Sequence, residues 1–157
     1  MRHRSVEDAR RFVIESNLIE GIIRDPTDSE VAAHVALFLY ADCMHLEVRH
    51  LHELQNVIAP GCPLRDRPGM NVRVGDYAAP SGGPAIPERL EQIIEAARTT
   101  DDPWRVHVNF EMLHPYLDGN GRTGRALWAW HTLRLGRDPF DIPFLHRFYY
   151  QTLEHQT

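Results

Sequence analysis

Apolar positions recur at three- and four-residue spacing along most of the chain, the period of helices with one buried face. Ser5 and Asp8 resemble a capping start, behind which Val6, Ala9, Phe12 and Val13 can face a core. A second helical piece covers about residues 15–23 and stops before Asp25-Pro26. Thr27-Asp28-Ser29-Glu30 supplies caps for one long helix, on which Leu37, Tyr40, Met44, Val48, Leu51 and Ile58 recur until Pro60-Gly61 ends it. Residues 61–87 read differently. They are rich in Pro and Gly, and they alternate only over Asn71-Val72-Arg73-Val74, closed by Gly75-Asp76, which predicts a small hairpin. Helical spacing returns over 87–98 and from Asp101-Asp102-Pro103 to Leu113. It recurs from about Gly121 to Leu135, before Gly136, and after Pro143 through Phe144, Phe148 and Leu153. The expected fold is all-α: a single, mostly helical domain over residues 1–157 with a short β-hairpin flap region at 65–83.

A length of 157 residues suffices for a core without disulfides, and 43% hydrophobic with 25% charged residues is a globular composition. The net charge of −5 argues against bulk binding to nucleic acid or to an anionic membrane, so neither is expected as a partner. All 17 cationic residues are Arg. A P-loop lysine, a Schiff-base lysine and a kinase-type ATP lysine are thereby excluded. Cys43 and Cys62 form neither a CxxC nor a zinc pattern and read as free thiols of a reducing compartment. The longest nearly apolar run, residues 31–41, contains His34 and is too short to span a membrane. The basic start runs into Glu7 and Asp8 rather than into a leader's apolar stretch, so a cytoplasmic location is expected.

One loop concentrates chemistry: His114-Pro115-Tyr116-Leu117-Asp118-Gly119-Asn120-Gly121-Arg122-Thr123-Gly124-Arg125. Gly119 and Gly121 let the backbone bend and bring its N–H groups close to a ligand, and the helix start that follows is a ready anion site. Arg122 and Arg125 share a face of the first turn, where cations oppose the helix macrodipole. An anion with several oxygens explains both. Asp118 is a hard oxygen donor suited to Mg²⁺ shared with phosphates, and His114 can take a proton near neutral pH. Together these residues spell phosphoryl or nucleotidyl transfer.

The same residues resemble the signature of Fic (fido) domain proteins, His-Pro-Phe-x-[Asp/Glu]-Gly-Asn-Gly-Arg-x-x-Arg, with Tyr116 in place of Phe. The upstream His107-x-x-Phe110-Glu111-x-Leu113 and the helical layout are similar as well. The resemblance implies the Fic fold and AMP transfer from ATP to a Tyr, Ser or Thr hydroxyl of a target protein, with the chain itself among the targets. It implies His114 as general base, Asp118 as the Mg²⁺ ligand, and Gly119, Asn120 and Gly121 as an anion cradle. Arg122 would hold the phosphate chain and Arg125 would pair with the γ-phosphate. In a related phosphotransferring branch Lys replaces the motif's second Gly; Gly121 here favours nucleotidyl transfer.

Residues 5–24 contain Ser16-Asn17-Leu18-Ile19-Glu20-Gly21, which matches the family's inhibitory pattern [Ser/Thr]-x-x-x-Glu-[Gly/Asn]. Ser16 and Glu20 stand i and i+4, and a carboxylate on Arg125 would mimic a phosphate and occupy its bidentate fork. Val72, Arg73 and Val74 resemble the flap that registers an extended target segment by main-chain pairing. His45, His50 and His52 have no metal spacing and read as a solvated face. Trp128, Trp130 and Phe148-Tyr149-Tyr150 read as core or as part of an adenine wall. Removal of AMP by water, another nucleotide donor, and a non-catalytic ATP-sensing module are the alternatives. Target identity, homodimer formation and action of the brake within or between chains stay open.

Overall fold

The computed structural model describes residues 6–43 and 45–141. Among the described residues six helices and one hairpin follow in order: α1 (Val6–Ile19), α2 (Asp28–Cys43), α3 (Val48–Ile58), β1 (Arg73–Val74), β2 (Tyr77–Ala78), α4 (Ala85–Thr99), α5 (Pro103–Leu113) and α6 (Asn120–Arg134). The mostly helical expectation holds. The helix expected after Pro143 lies outside the described residues.

The core is built around α6, which packs against all five other helices. Its sequence explains this position. Ala126, Leu127, Ala129, Trp130 and Leu133 are buried, and so are Thr123, Gly124, His131 and Thr132, so no side of the helix is given over to solvent. Helix α3 is the opposite case, with Leu51, Leu54 and Ile58 on one buried stripe. At the start of α5 the Asp102 side chain caps the N–H of Arg105, and Pro103 takes the first position, where its missing N–H costs nothing.

Two helix boundaries and the burial of one residue differ from the sequence reading. The first two helical pieces are one helix, α1. It ends in a Schellman arrangement: Gly21 (φ 75°) donates to the carbonyl of Leu18, and Ile22 donates to that of Asn17. The long helix expected over 27–58 is two, because Glu47 caps α3 in a reciprocal box with His50 and starts a new helix there. Val6, expected to face the core, is 63% exposed.

Strands β1 and β2 pair antiparallel with Val74 opposite Tyr77, as the alternation over 71–74 predicts. The Tyr77 hydroxyl reaches the carbonyl of Met112 at 2.6 Å and ties the hairpin to the end of α5. Leu64 forms a bridge with Tyr116, so the approach to the hairpin runs beside the motif loop. No helix among the described residues is long and apolar enough to cross a membrane.

Candidate active site

The motif loop joins the C-terminus of α5 to the N-terminus of α6. His114 caps α5 in the left-handed region, at φ 51° and ψ 61°, the only non-glycine residue with positive φ among those described. Its Nδ1–H donates to the carbonyl of Glu111 at 3.1 Å, which leaves Nε2 as the proton acceptor. Burial is the main cause that lowers its pKa; the charge of Arg65 acts the same way, while the Glu111 carbonyl, Glu20 and Asp118 oppose it.

Asn120 is buried, and its side chain closes the loop from within. Its Oδ1 accepts from the Tyr116 N–H at 2.9 Å and its Nδ2 donates to the Tyr116 carbonyl at 2.8 Å. The expected role of Asn120 in an anion cradle therefore narrows to its backbone N–H. Gly119 is the N-cap of α6 at φ 81°, and a Cβ there would lie 3.0 Å from that of Ala59. The start of α6 thus has no side-chain cap and no acidic residue in its first turn.

Asp118 is exposed, and its Oδ1 accepts from the Gly119 N–H at 2.8 Å. Among the described residues no group of three or more His, Cys, Asp or Glu side chains could hold a metal. A single exposed carboxylate beside an uncapped helix start fits Mg²⁺, which takes its remaining ligands from phosphate and water. Arg122 is half-buried and reaches across to the carbonyl of Ile58 at 3.3 Å.

Arg125 is buried and held by α1. Its Nε donates to Ser16 Oγ at 2.7 Å, and its Nη2 donates to the Ser16 carbonyl at 2.9 Å and to Glu20 Oε1 at 2.8 Å. Glu20 stands just beyond the last residue of α1, where the turn at Gly21 sets its direction. Its carboxylate lies against the first turn of α6: a Cβ on Gly121 would fall 2.3 Å from Glu20 Oε1 and 3.1 Å from Arg125 Nη1. The missing side chain of Gly121 is what admits a carboxylate there.

The sequence reading missed several neighbours. Glu111 packs against α6, where a Cβ on Gly124 would meet its Oε1 at 2.1 Å. That oxygen is buried with no hydrogen-bond partner, and burial pushes the carboxyl up to about 8. Helical spacing gave no sign of it. His50 and His52 are not a solvated face. His50 is buried and stacks on Tyr40 at 4.0 Å, and His52 shares a 2.5 Å hydrogen bond with the Tyr116 hydroxyl. Tyr116, the departure from the motif, thus has its own partner on α3. Tyr116→Phe should cost about 1–1.5 kcal/mol by leaving the half-buried imidazole unpaired. Adding His52→Leu should recover most of that loss in thermal unfolding; additive losses would contradict the pairing.

The hairpin places Arg73 and Val74 in solvent and Val72 half-buried. Trp130 is core and Trp128 packs beside it; Phe148, Tyr149 and Tyr150 lie outside the described residues.

This geometry joins a histidine, an uncapped helix start and two arginines in one unbroken stretch. A family model described as the Fic/DOC family matches residues 44–131 and contains that stretch. The chain belongs to the Fic/DOC family. No curated protein gives a significant match to this Fic chain. Among solved structures, Fic-1 from C. elegans (aa134–508, carrying a Glu-to-Gly substitution) is similar with a TM-score of 0.64 and 20% identity. The likeness covers 99% of this Fic chain and 59% of that one, and at such identity it speaks to the fold. The Fic domain reads as mostly helical in both sequence and structure.

Proposed function

We propose that this Fic domain is an autoinhibited protein adenylyltransferase, which moves AMP from ATP to the hydroxyl of a Tyr, Ser or Thr side chain. The observation that carries the reading is the Glu20 carboxylate seated on Arg125 against Gly121. A group of that charge, at an uncapped helix start, supports reading the place as an anion site. The chain's own carboxylate stands where a phosphate of ATP would go.

In the active arrangement Arg125 would take the γ-phosphate, Arg122 the chain behind it, and the N–H groups of Gly119, Asn120 and Gly121 the phosphate nearest the helix start. Mg²⁺ bound at Asp118 would neutralise charge on the α- and β-phosphates. His114 Nε2 would accept the proton of the target hydroxyl. Its oxygen would attack the α-phosphorus as the bond to the β-phosphate breaks, and pyrophosphate would leave. With Glu20 in place the γ-phosphate cannot reach Arg125, and the α-phosphate misses the line of attack. The exposed edge of the hairpin would register the target by main-chain pairing.

Mass spectrometry of the protein and of added lysate, incubated with ATP and Mg²⁺, should find AMP on hydroxyl side chains. The adduct should be absent with His114→Ala; an adduct that survives that change would remove His114 from the reaction. The rate should also depend on pH through His114. Only the neutral base accepts a proton, so activity falls as pH drops through its pKa. Because burial lowers that pKa, the acid limb of kcat/KM should lie below the ordinary histidine value of 6.5. A limb above that value would contradict the assignment.

A further inference from the structure

Arg65 is 0% exposed, and among the described residues it makes no ion pair. Its guanidinium donates instead to four backbone carbonyls. Nε reaches His114 at 2.7 Å, Nη2 reaches Leu113 at 2.8 Å, and Nη1 reaches both Met70 at 3.0 Å and Pro80 at 2.8 Å. Two of these carbonyls close α5, where the negative end of the helix dipole meets the buried charge. The other two stand on either side of the β1–β2 hairpin, one at each foot. The main chain of Arg65 is tied to the same parts: its N–H donates to the Pro115 carbonyl at 2.9 Å, and its carbonyl accepts from the Gly83 N–H at 3.0 Å.

An interior cation without a counter-ion is costly, and an apolar side chain could fill the space. What an apolar side chain could not do is join three separate stretches of chain through one planar fork. One of those stretches carries the left-handed turn at His114. We propose that Arg65 is a positioning residue for the transfer reaction: it holds both feet of the hairpin at a fixed offset from His114. A target strand paired to the hairpin then presents its hydroxyl at the imidazole. This rests on the transferase reading. Tyr77 adds a second tie from β2 to the Met112 carbonyl.

The test uses the full chain carrying Glu20→Gly as parent. Arg65→Lys keeps the charge but replaces the fork with three donors on one nitrogen, which cannot serve four carbonyls from their present places. Gly82→Ala is the second variant and leaves Arg65 untouched. A Cβ at 82 would lie 2.5 Å from the Met70 carbonyl that Arg65 holds, so it loads the same clamp from outside the core. In both variants kcat for transfer to protein should fall, about ten- to a hundredfold in Arg65→Lys. The Kd for ATP should stay within about twofold, because the anion site on α6 does not use Arg65. Amide exchange should quicken over residues 70–80. Unchanged kcat in an active parent's Arg65→Lys variant would overturn this role alone. So would a kcat and an ATP affinity that fall in step, since that pattern belongs to general loosening of the fold. A parent that transfers nothing would sink the transferase reading, and this role with it.

Discussion

Glu20→Gly should raise the rate of AMP transfer by on the order of 10²-fold, the penalty expected when a reacting group is held out of line. The change removes the one carboxylate on Arg125 that the inhibitory reading needs and leaves the arginine's bonds to Ser16 Oγ and to the Ser16 carbonyl. Arg125 is therefore not stranded as a bare interior charge. Glu20 is itself 39% exposed but Arg125 is buried, so losing the ion pair should cost about 1–3 kcal/mol of stability. A large gain in rate alongside a modest loss of thermal stability is the combined signature. Equal rates in the two proteins would mean that the contact does not restrain the site. A second change checks the route: Ser16→Ala removes one hydrogen bond to the same arginine and should give a smaller gain in the same direction.

His114→Ala should lower transfer by roughly 10³-fold, within the range of a lost general base. The loss should appear in kcat with little change in ATP affinity, since in the proposed reaction His114 serves the target hydroxyl and not the phosphates. His114→Asn should be nearly as poor, because an amide can imitate the Nδ1–H bond to the Glu111 carbonyl but cannot take the proton. A His114→Asn protein with substantial activity would show that the imidazole serves geometry only. Both variants are best measured in the Glu20→Gly background, where the parent rate leaves room for the fall.

The motif loop was legible before the structure because its chemistry is contiguous: twelve residues carry base, carboxylate, glycines and arginines in reading order. The contact from Ser16 and Glu20 to Arg125 spans more than a hundred positions, yet it could be anticipated because a short pattern marks each end. The break between α2 and α3 was not legible. The apolar spacing runs on through Tyr40, Met44 and Val48, and only the reciprocal cap at Glu47 and His50 shows where a new helix starts. His52 was misread because its partner, Tyr116, is 64 residues away and looks like a conservative aromatic swap. Arg65 left no trace at all. Its partners are main-chain carbonyls, which have no side-chain signature, and it stands in a Pro- and Gly-rich stretch that reads as loop. Glu111 carries no signal of its own in the helical spacing; its unpaired oxygen is a product of the close approach of α5 to Gly124.

The most direct measurement incubates wild type and Glu20→Gly with Mg²⁺ and ATP labelled separately at the α- or γ-phosphate. Label on protein is then scored, with His114→Ala as the blank. Autoinhibited AMP transfer gives α-label alone, dependent on His114 and stronger in the Glu20→Gly protein. Label from the γ-phosphate, or no label in any variant while ATP still binds, would contradict it.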